Sequence, residues 1–321
     1  MLPYIILIVG IFFLVKGADY LVEGSSLLAE KFGISKLVVG LTIVAFGTSM
    51  PELVVNVVSA IKGTSDVAFG NILGSNMANT LLILGIAAMI RSLKVKKSTT
   101  LREIPYSFFA VLVLYVFATL PNLAHPETHY LYRFEGAIML VLFGFFLFHV
   151  FRLARDGRVN FKEISLSKDQ RPNIVIILTI LVGLVGLYLG GTWTVDGAIS
   201  IARSFGLSEF LISATVIAVG TSLPELITSV VAVRKGNVDL GVGNIVGSNI
   251  FNILWVLGLT SVIRPIAFPA TVIIDLAILL IVTFLLFAFI FFGKKHILER
   301  WQGFVCVLLY VAYLIFLIIR G

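Results

Sequence analysis

Two glutamates lie inside long apolar stretches of this sequence, and each directly follows a proline. Glu52 follows Pro51, and Glu225 follows Pro224. A carboxylate buried among apolar groups needs a cation or hydrogen-bond donors around it, and in the middle of a membrane its isolation costs several kcal/mol. The nearest basic residues on both stretches stand only at their ends. We therefore expect each carboxylate to meet oxygen-rich neighbours and a bound cation.

Oxygen-bearing side chains accompany both glutamates at helical spacing. Thr48 lies four residues before Glu52, so the two side chains share one face of a helix. In the next apolar stretch, a serine and an asparagine are again four residues apart. The side chains that recur around both glutamates are Thr48, Ser49, Ser75 and Asn79, and Thr221, Ser222, Ser248 and Asn252.

The backbone before each glutamate is predicted to be irregular. Gly47 is a poor helix residue, and Pro51 lacks the N–H that would bond the carbonyl of Gly47. The second copy has the same arrangement, so carbonyl groups from Ala45 to Thr48 and from Ala218 to Thr221 are expected to face the protein interior. The resulting set of ligands contains only oxygen, which suits Ca²⁺ or Na⁺ and disfavours Zn²⁺ or copper.

The amino-acid composition indicates that these apolar stretches lie in a membrane. Of the 321 residues, 59% are hydrophobic and only 13% are charged, which argues against a soluble domain. The net charge of +7 does not indicate nucleic-acid binding, because the basic residues lie between apolar runs. The one cysteine, Cys306, cannot form a disulfide within the chain. Ten predicted spans begin near Pro3, Lys36, Val67, Pro105, Phe134, Asn173, Ser208, Leu240, Phe268 and Trp301.

The basic residues predict an orientation for these ten spans. Of the 24 Lys and Arg residues, 18 fall in links on one side and five on the other. The richer side should face the cytoplasm, with both termini outside the cell. The remaining basic residue, Lys16, is three residues from Asp19 in the first span, and this spacing predicts a local ion pair.

An internal repeat divides the chain into two halves. AFGTSMPEL from Ala45 recurs as AVGTSLPEL from Ala218, and GNILGSNMAN from Gly70 recurs as GNIVGSNIFN from Gly243. The same spacing matches Glu23 to Asp196. The predicted units are residues 1–160, with a motif at 38–90, and residues 161–321, with a motif at 211–263. Because five spans is an odd number, the second unit must enter the membrane from the opposite side. The predicted fold is an all-α membrane protein of ten transmembrane helices in two inverted-topology five-helix repeats.

These duplicated motifs resemble the two alpha-repeats of the calcium/cation antiporter superfamily, most closely its sodium/calcium exchanger branch. The resemblance extends over nearly the whole chain and implies an antiporter whose ions bind midway through the membrane. It also implies a Ca²⁺ site and overlapping Na⁺ sites. For Ca²⁺ the implied ligands are Glu52, Glu225 and the carbonyls of Thr48 and Thr221; for Na⁺ they are the same glutamates, Ser49, Ser75, Ser222, Ser248 and the carbonyls of Ala45 and Ala218, with Asn79 and Asn252 flanking the centre.

The threonine-serine pair before each proline favours Na⁺ as the coupling ion, because proton-coupled members of the superfamily differ there. Asn252 stands where potassium-dependent members have aspartate, which disfavours K⁺ co-transport. The alternatives are exchange of H⁺ for Ca²⁺ or another divalent cation and, from another class, a cation channel. An intramembrane enzyme is disfavoured, since no nucleophile with a base is evident. We expect no cofactor, no nucleic-acid partner, and a monomer in the cell membrane that interacts only with its transported cations and the lipid bilayer.

Overall fold

The computed structural model describes residues 2–97, 99–120, 130–161, 171–206, 218–269, 271–292 and 294–320, with backbone only for 156–161 and 218. This part of the chain is almost entirely helical. Its helices are α1 (Leu2–Phe32), α2 (Lys36–Thr48), α3 (Met50–Lys62), α4 (Ser65–Ile90), α5 (Thr99–Thr119), α6 (Arg133–Phe161), α7 (Asn173–Ser204), α8 (Ala218–Gly220), α9 (Leu223–Arg234), α10 (Val238–Ile263), α11 (Val272–Phe289) and α12 (Arg300–Arg320).

Eight of the described helices are long and apolar enough to cross a membrane, and the bent pair of α2 and α3 can supply one more. Large apolar side chains cover the outside of the bundle. On α6, for example, Phe134, Phe145, Phe148 and Phe151 are all mostly exposed, as expected of a surface that faces lipid. The multi-pass membrane architecture is thus confirmed. The predicted seventh span begins among residues 207–217, outside the described part, so the count of ten stays a prediction, as do the unit boundary at 160 and the start of the motif at 211–263.

The fourth span begins earlier than its sequence indicated. The prediction placed its start near Pro105, whereas α5 begins at Thr99 with a π-helical turn that extends to Glu103. A proline in the first turn of a helix is normally a start signal, because its missing N–H is not needed there. Here Pro105 lies in the first turn of the regular α-helical part of α5, which begins at Ile104, and the π-helical turn precedes it.

The second span breaks where the sequence predicts. Helices α2 and α3 meet at an angle of 44°, and Ser49 between them has φ −86° and ψ 7°. Ser222, the matching residue between α8 and α9, has nearly the same angles, φ −85° and ψ 4°. Proline lies in the first turn of α3 and of α9, which explains why a new helix starts there.

Two wide turns interrupt the regular helices next to the second repeated motif. Residues Ala78–Ile83 of α4 and Phe251–Leu257 of α10 form π-helical turns. Such turns leave some backbone groups off the regular α-helical pattern and are frequent at functional sites. Here they hold the predicted flanking residues Asn79 and Asn252.

Glycines let α2 and α10 approach each other closely. A methyl group added to Gly40 would lie 2.5 Å from the carbonyl oxygen of Leu240, and one added to Gly243 would lie 2.7 Å from that of Leu37. Small residues at such contacts allow two helix backbones to meet within a membrane. Helix α2 and the first part of α10 therefore lie side by side, which brings polar residues of the two halves together.

A second glycine contact joins α1 to α7. Gly10, Gly17 and Gly24 are spaced seven residues apart on α1 and contact the facing surface of α7, where Gly183, Gly190 and Gly197 have the same spacing. Each meets backbone or side-chain atoms of the other helix so closely that an added Cβ would lie within 2.8 Å of one of them. This pair packs along α2, α8 and α9 and forms one flank of the bundle.

Contacts between the links agree with the alternation predicted from charge. Strand β1 (Leu93–Lys94) pairs with β4 (Ile297–Leu298), and strand β2 (Tyr130–Leu131) pairs with β3 (Ile266–Ala267). Each pair joins two links that the charge pattern assigns to the same side. We call the side that carries β1 and β4, where most Lys and Arg residues lie, the basic face.

The predicted ion pair between Lys16 and Asp19 is wrong. Asp19 instead binds Lys235, with 2.8 Å between Oδ1 and Nζ. The neighbouring carboxylate of Glu23 binds Arg171 at 2.9 Å. Both carboxylates point toward the basic face, where cations from other segments reach them, whereas Lys16 lies in an exposed groove with Phe12 and Tyr20.

Candidate cation site

The Glu225 side chain is fully enclosed near the middle of the bundle. Its Oε1 accepts a hydrogen bond from the Ser49 hydroxyl at 3.1 Å and lies 3.5 Å from the Ser248 hydroxyl. Its Oε2 has no hydrogen-bond partner. A carboxylate oxygen without a donor in such a place is a strong cation ligand, because a cation would restore the lost solvation.

Glu52 repeats this environment in the other half. Its Oε1 accepts a hydrogen bond from Ser75 at 3.3 Å, and its Oε2 is again without a partner. The Ser75 hydroxyl also lies 3.4 Å from that of Thr221. Ser75 thereby connects the first glutamate to the broken segment of the second half, just as Ser49 connects the other broken segment to Glu225.

The Thr48 hydroxyl turns away from the glutamate of its own half. It donates to Oδ1 of Asn244 at 3.1 Å and lies 3.5 Å from the Ser248 hydroxyl. The sequence expectation that Thr48 shares a face with Glu52 assumed a continuous helix. The bend at Ser49 ends that helix, and the glycine contact with α10 offers the hydroxyl partners from the other half instead.

The predicted backbone ligands are placed less symmetrically. The Ala45 carbonyl accepts the Ser49 N–H at 3.0 Å, and the Thr48 hydroxyl lies 3.4 Å from the same oxygen. In the second half, the Ser222 N–H bonds to Val219 instead, at 3.2 Å. The Ser222 hydroxyl is buried without a partner. Ala218 is described only by its backbone, at the start of α8.

Two asparagines that were not among the predicted site residues lie close to the backbone carbonyls of the two glutamates. Asn71 Nδ2 lies 3.4 Å from the backbone carbonyl of Glu52 and donates to Asn56 at 2.7 Å. Asn244 Nδ2 lies 3.5 Å from the Glu225 carbonyl and donates to Ser229 at 3.0 Å. Their signal was present in the sequence, since both are the Asn of the repeated GN motif, but their direction depends on how the helices pack.

Further amides join the two halves at the centre of the bundle. Asn252 donates to Asn76 at 3.1 Å, and Asn249 donates to Thr80 at 2.9 Å. Both polar atoms of Asn79 are buried without a partner. The two predicted flanking residues are thus deeply buried, and both keep a side-chain oxygen without a partner, although the Asn252 amide nitrogen is used in a hydrogen bond to Asn76.

The electrostatics of this cluster favour a small cation. Among the described residues, no basic side chain forms an ion pair with Glu52 or Glu225, and the donors that reach them are neutral hydroxyls. Two carboxylate oxygens without partners and several hydroxyl oxygens come from both halves of the chain. Hard oxygen ligands with net negative charge suit Ca²⁺ and Na⁺, and they do not suit metals that prefer sulfur or imidazole.

A helical membrane bundle with an enclosed, all-oxygen anionic centre defines the class of membrane cation transporters, and comparison with known proteins specifies the family. The family model described as "Sodium/calcium exchanger protein" matches residues 2–152 and 175–319. The chain belongs to this family of membrane exchangers, which are not enzymes.

Relatives and solved structures agree with this assignment. The chain is 38% identical over 267 residues to inner membrane protein YrbG of Escherichia coli (strain K12), covering 81% of this chain and 79% of the relative. It is 30% identical over 351 residues to the sodium/calcium exchanger MaX1 of Methanosarcina acetivorans, covering 98% of both chains. A structure of the sodium-calcium exchanger NCX_Mj, soaked with 10 mM Na⁺ and 10 mM Sr²⁺, superposes with a TM-score of 0.82 at 28% identity and 97% coverage of both chains.

Loss of Asn244 is expected to weaken cation transport about tenfold. Replacement by alanine removes the donor to Ser229 and the acceptor of Thr48, and unmade buried hydrogen bonds cost about 1–3 kcal/mol. The half-saturating cation concentration in a liposome flux assay should rise accordingly. Asn237→Ala is the matched control, because Asn237 lies in a link away from the glutamates and its side chain accepts a hydrogen bond from Lys36 there. Equal effects of the two replacements would contradict a supporting role for Asn244.

Proposed function

We propose that this protein is an antiporter that exchanges Na⁺ for Ca²⁺ through one shared site midway through the membrane. The observation that carries the proposal is the pair of buried glutamates, each with one oxygen free and the other accepting from serine: Glu52 from Ser75, and Glu225 from Ser49 of the other half and Ser248 of its own. The name of MaX1, and the Na⁺ and Ca²⁺ with which the sodium-calcium exchanger NCX_Mj was soaked, support the same cations.

Competition for oxygen ligands would couple the two ions. In this proposal Ca²⁺ binds Glu52 and Glu225 together with the carbonyls of Thr48 and Thr221. Na⁺ ions use the same two carboxylates with the four serines and the carbonyls of Ala45 and Ala218. Because the carboxylates are common to both loads, one Ca²⁺ and several Na⁺ exclude each other.

The cost of an empty site would make exchange obligatory. Two carboxylates without a cation are strongly unfavourable inside a membrane, so the protein crosses between its two open states only when loaded. We propose that α1 and α7 move together past the remaining bundle during this change. Their close glycine contact with each other supports their movement as one body.

The proposed arrangement in the cell follows from the charge pattern. Ten helices in two inverted repeats would place the basic face in the cytoplasm and both termini outside. Each chain carries glutamates and hydroxyls from both halves in one site, so a monomer is sufficient for transport. The same property disfavours a channel, since channels usually assemble a pore from several subunits around an axis.

The decisive experiment separates Na⁺ coupling from H⁺ coupling and from a channel. Proteoliposomes that contain the purified protein are loaded with Na⁺, K⁺ or choline, and ⁴⁵Ca²⁺ uptake is followed with or without an imposed pH gradient. Sodium/calcium exchange predicts uptake that requires the outward Na⁺ gradient. Uptake driven by the pH gradient alone would favour proton exchange, and Ca²⁺ equilibration without any counter-ion gradient would indicate a channel.

A further inference from the structure

A cavity lies beside the cation site and is lined by residues of α3, α7, α8 and α9. Its volume is about 270 Å³, which is room for several water molecules at roughly 30 Å³ each. We call it the entrance cavity. Its wall includes Pro51, Thr192, Asp196, Thr221 and Pro224.

The inner wall of the entrance cavity belongs to the cation site. Thr221 lines the cavity, and its hydroxyl lies 3.4 Å from that of Ser75, which in turn bonds to Glu52. Pro51 and Pro224, the residues just before the two glutamates, also line it. Hydroxyl contacts therefore connect the wall of this cavity, through Thr221 and Ser75, to the Glu52 carboxylate.

Asp196 is the one charged residue that the described part of the chain contributes to the wall of the entrance cavity. It lies in the last third of α7, near the helix end that is farther from the basic face, and its side chain is exposed. Its carboxylate has no ion pair within the part of the chain that the structure describes. The other polar side chains that described residues place in the wall are neutral. The Thr192 hydroxyl donates a hydrogen bond to the Tyr188 carbonyl at 3.0 Å.

The matching carboxylate of the other half is in a different electrostatic state. Glu23 corresponds to Asp196 in the internal repeat, but Arg171 neutralises it at 2.9 Å. Its neighbour Asp19 is neutralised by Lys235. Among these described carboxylates, Glu23 and Asp19 on the basic face are paired, whereas Asp196 in the cavity wall is not.

We propose that Asp196 attracts cations into the entrance cavity and so sets the apparent cation affinity on its own face, independently of the affinity on the basic face. A cleft with one sign of charge and low-dielectric walls concentrates counter-ions and raises their entry rate. Glu23 cannot do the same on the basic face, because its charge is compensated. This inference rests on the proposed function, in that it concerns access to the same site.

The test measures affinity from each face separately. Right-side-out and everted membrane vesicles of a bacterial host present opposite faces, and initial ⁴⁵Ca²⁺ uptake is measured against Ca²⁺ concentration. Asp196→Asn should raise the half-saturating concentration about threefold to tenfold when ions enter on its own face, with no change from the basic face. The shift should shrink as choline chloride is raised from about 0.01 to 0.3 M, since salt screens exposed charges.

Three further variants make the result decisive. Asp196→Glu should behave like the unaltered protein, and Asp196→Lys should give a larger shift than Asp196→Asn. Glu23→Gln is the matched control and should leave entry on the Asp196 face unchanged. A shift of equal size from both faces, a shift insensitive to salt, or a lower maximal rate at unchanged half-saturation would overturn the proposal.

The outcome for Asp196 is separable from that for Na⁺ coupling. The half-saturating concentration is measured with whichever counter-ion gradient drives uptake. If only a pH gradient drives it, sodium exchange is contradicted, while the comparison between the two faces still decides the role of Asp196. Variants are first compared with the unaltered protein by size-exclusion chromatography, and Asp196→Glu provides the charge-preserving reference for folding.

Discussion

Replacing Glu52 or Glu225 with glutamine is expected to reduce Ca²⁺ transport by about 100-fold or more, a loss of roughly 2.7 kcal/mol in binding free energy. Glutamine has nearly the same shape and keeps the hydrogen bond to Ser75 or to Ser49. It removes the negative charge and replaces one oxygen with a donor. The measurement is Na⁺-driven ⁴⁵Ca²⁺ uptake into proteoliposomes, with direct ⁴⁵Ca²⁺ binding to the purified protein as a second readout.

Glu103→Gln is the matched control for these two variants. Glu103 is also buried, in α5, but its carboxylate contacts His149 at 3.4 Å and lies outside the cation site. Transport by this variant should remain within about twofold of the unaltered protein after correction for folded protein. Loss of transport in all three variants would show that transport requires any buried negative charge. That result would contradict the assignment of the two central glutamates as ligands.

Replacing Gly17 with valine is expected to separate α1 from α7 and to eliminate transport. A Cβ at this position would lie 2.6 Å from the Leu187 nitrogen and 2.8 Å from the Gly183 carbonyl oxygen. These are backbone atoms, so the helices themselves must move apart. Overpacking typically costs about 1–3 kcal/mol, and the valine branches add further clashes. The thermal unfolding temperature of the purified protein should fall together with the transport rate.

The comparison that isolates the helix contact is Gly144→Val on α6. Gly144 is exposed, and a Cβ there would meet no atom within 4 Å. Both replacements put the same β-branched side chain into a membrane helix, so differences in helix propensity cancel. Normal transport in Gly17→Val, or equal losses in both variants, would show that the close approach of α1 and α7 is not needed.

The positions of the helix breaks in this protein can be predicted from its sequence. Glycine and proline disrupt a helix through their own backbone chemistry, so the bend at Ser49 could be predicted without knowing any neighbour. The oxygen-rich character of the site is equally local, since it depends on which side chains surround the two glutamates along the chain. Apolar length gave most helix starts within a few residues, and α5 differs because a π-helical turn extends it to Thr99.

The partners of each polar atom were decided only by tertiary structure. Helical periodicity places Thr48 on the face of Glu52, yet its hydroxyl reaches Asn244 of the other half. Likewise, Asp19 binds Lys235, 216 residues away, rather than the nearby Lys16. Spacing along one helix defines a face, but the partner of that face depends on how far another helix approaches and how it is rotated. In this protein the approach is set by glycine contacts such as that of Gly40 with α10, and their geometry arises only when the two halves pack together.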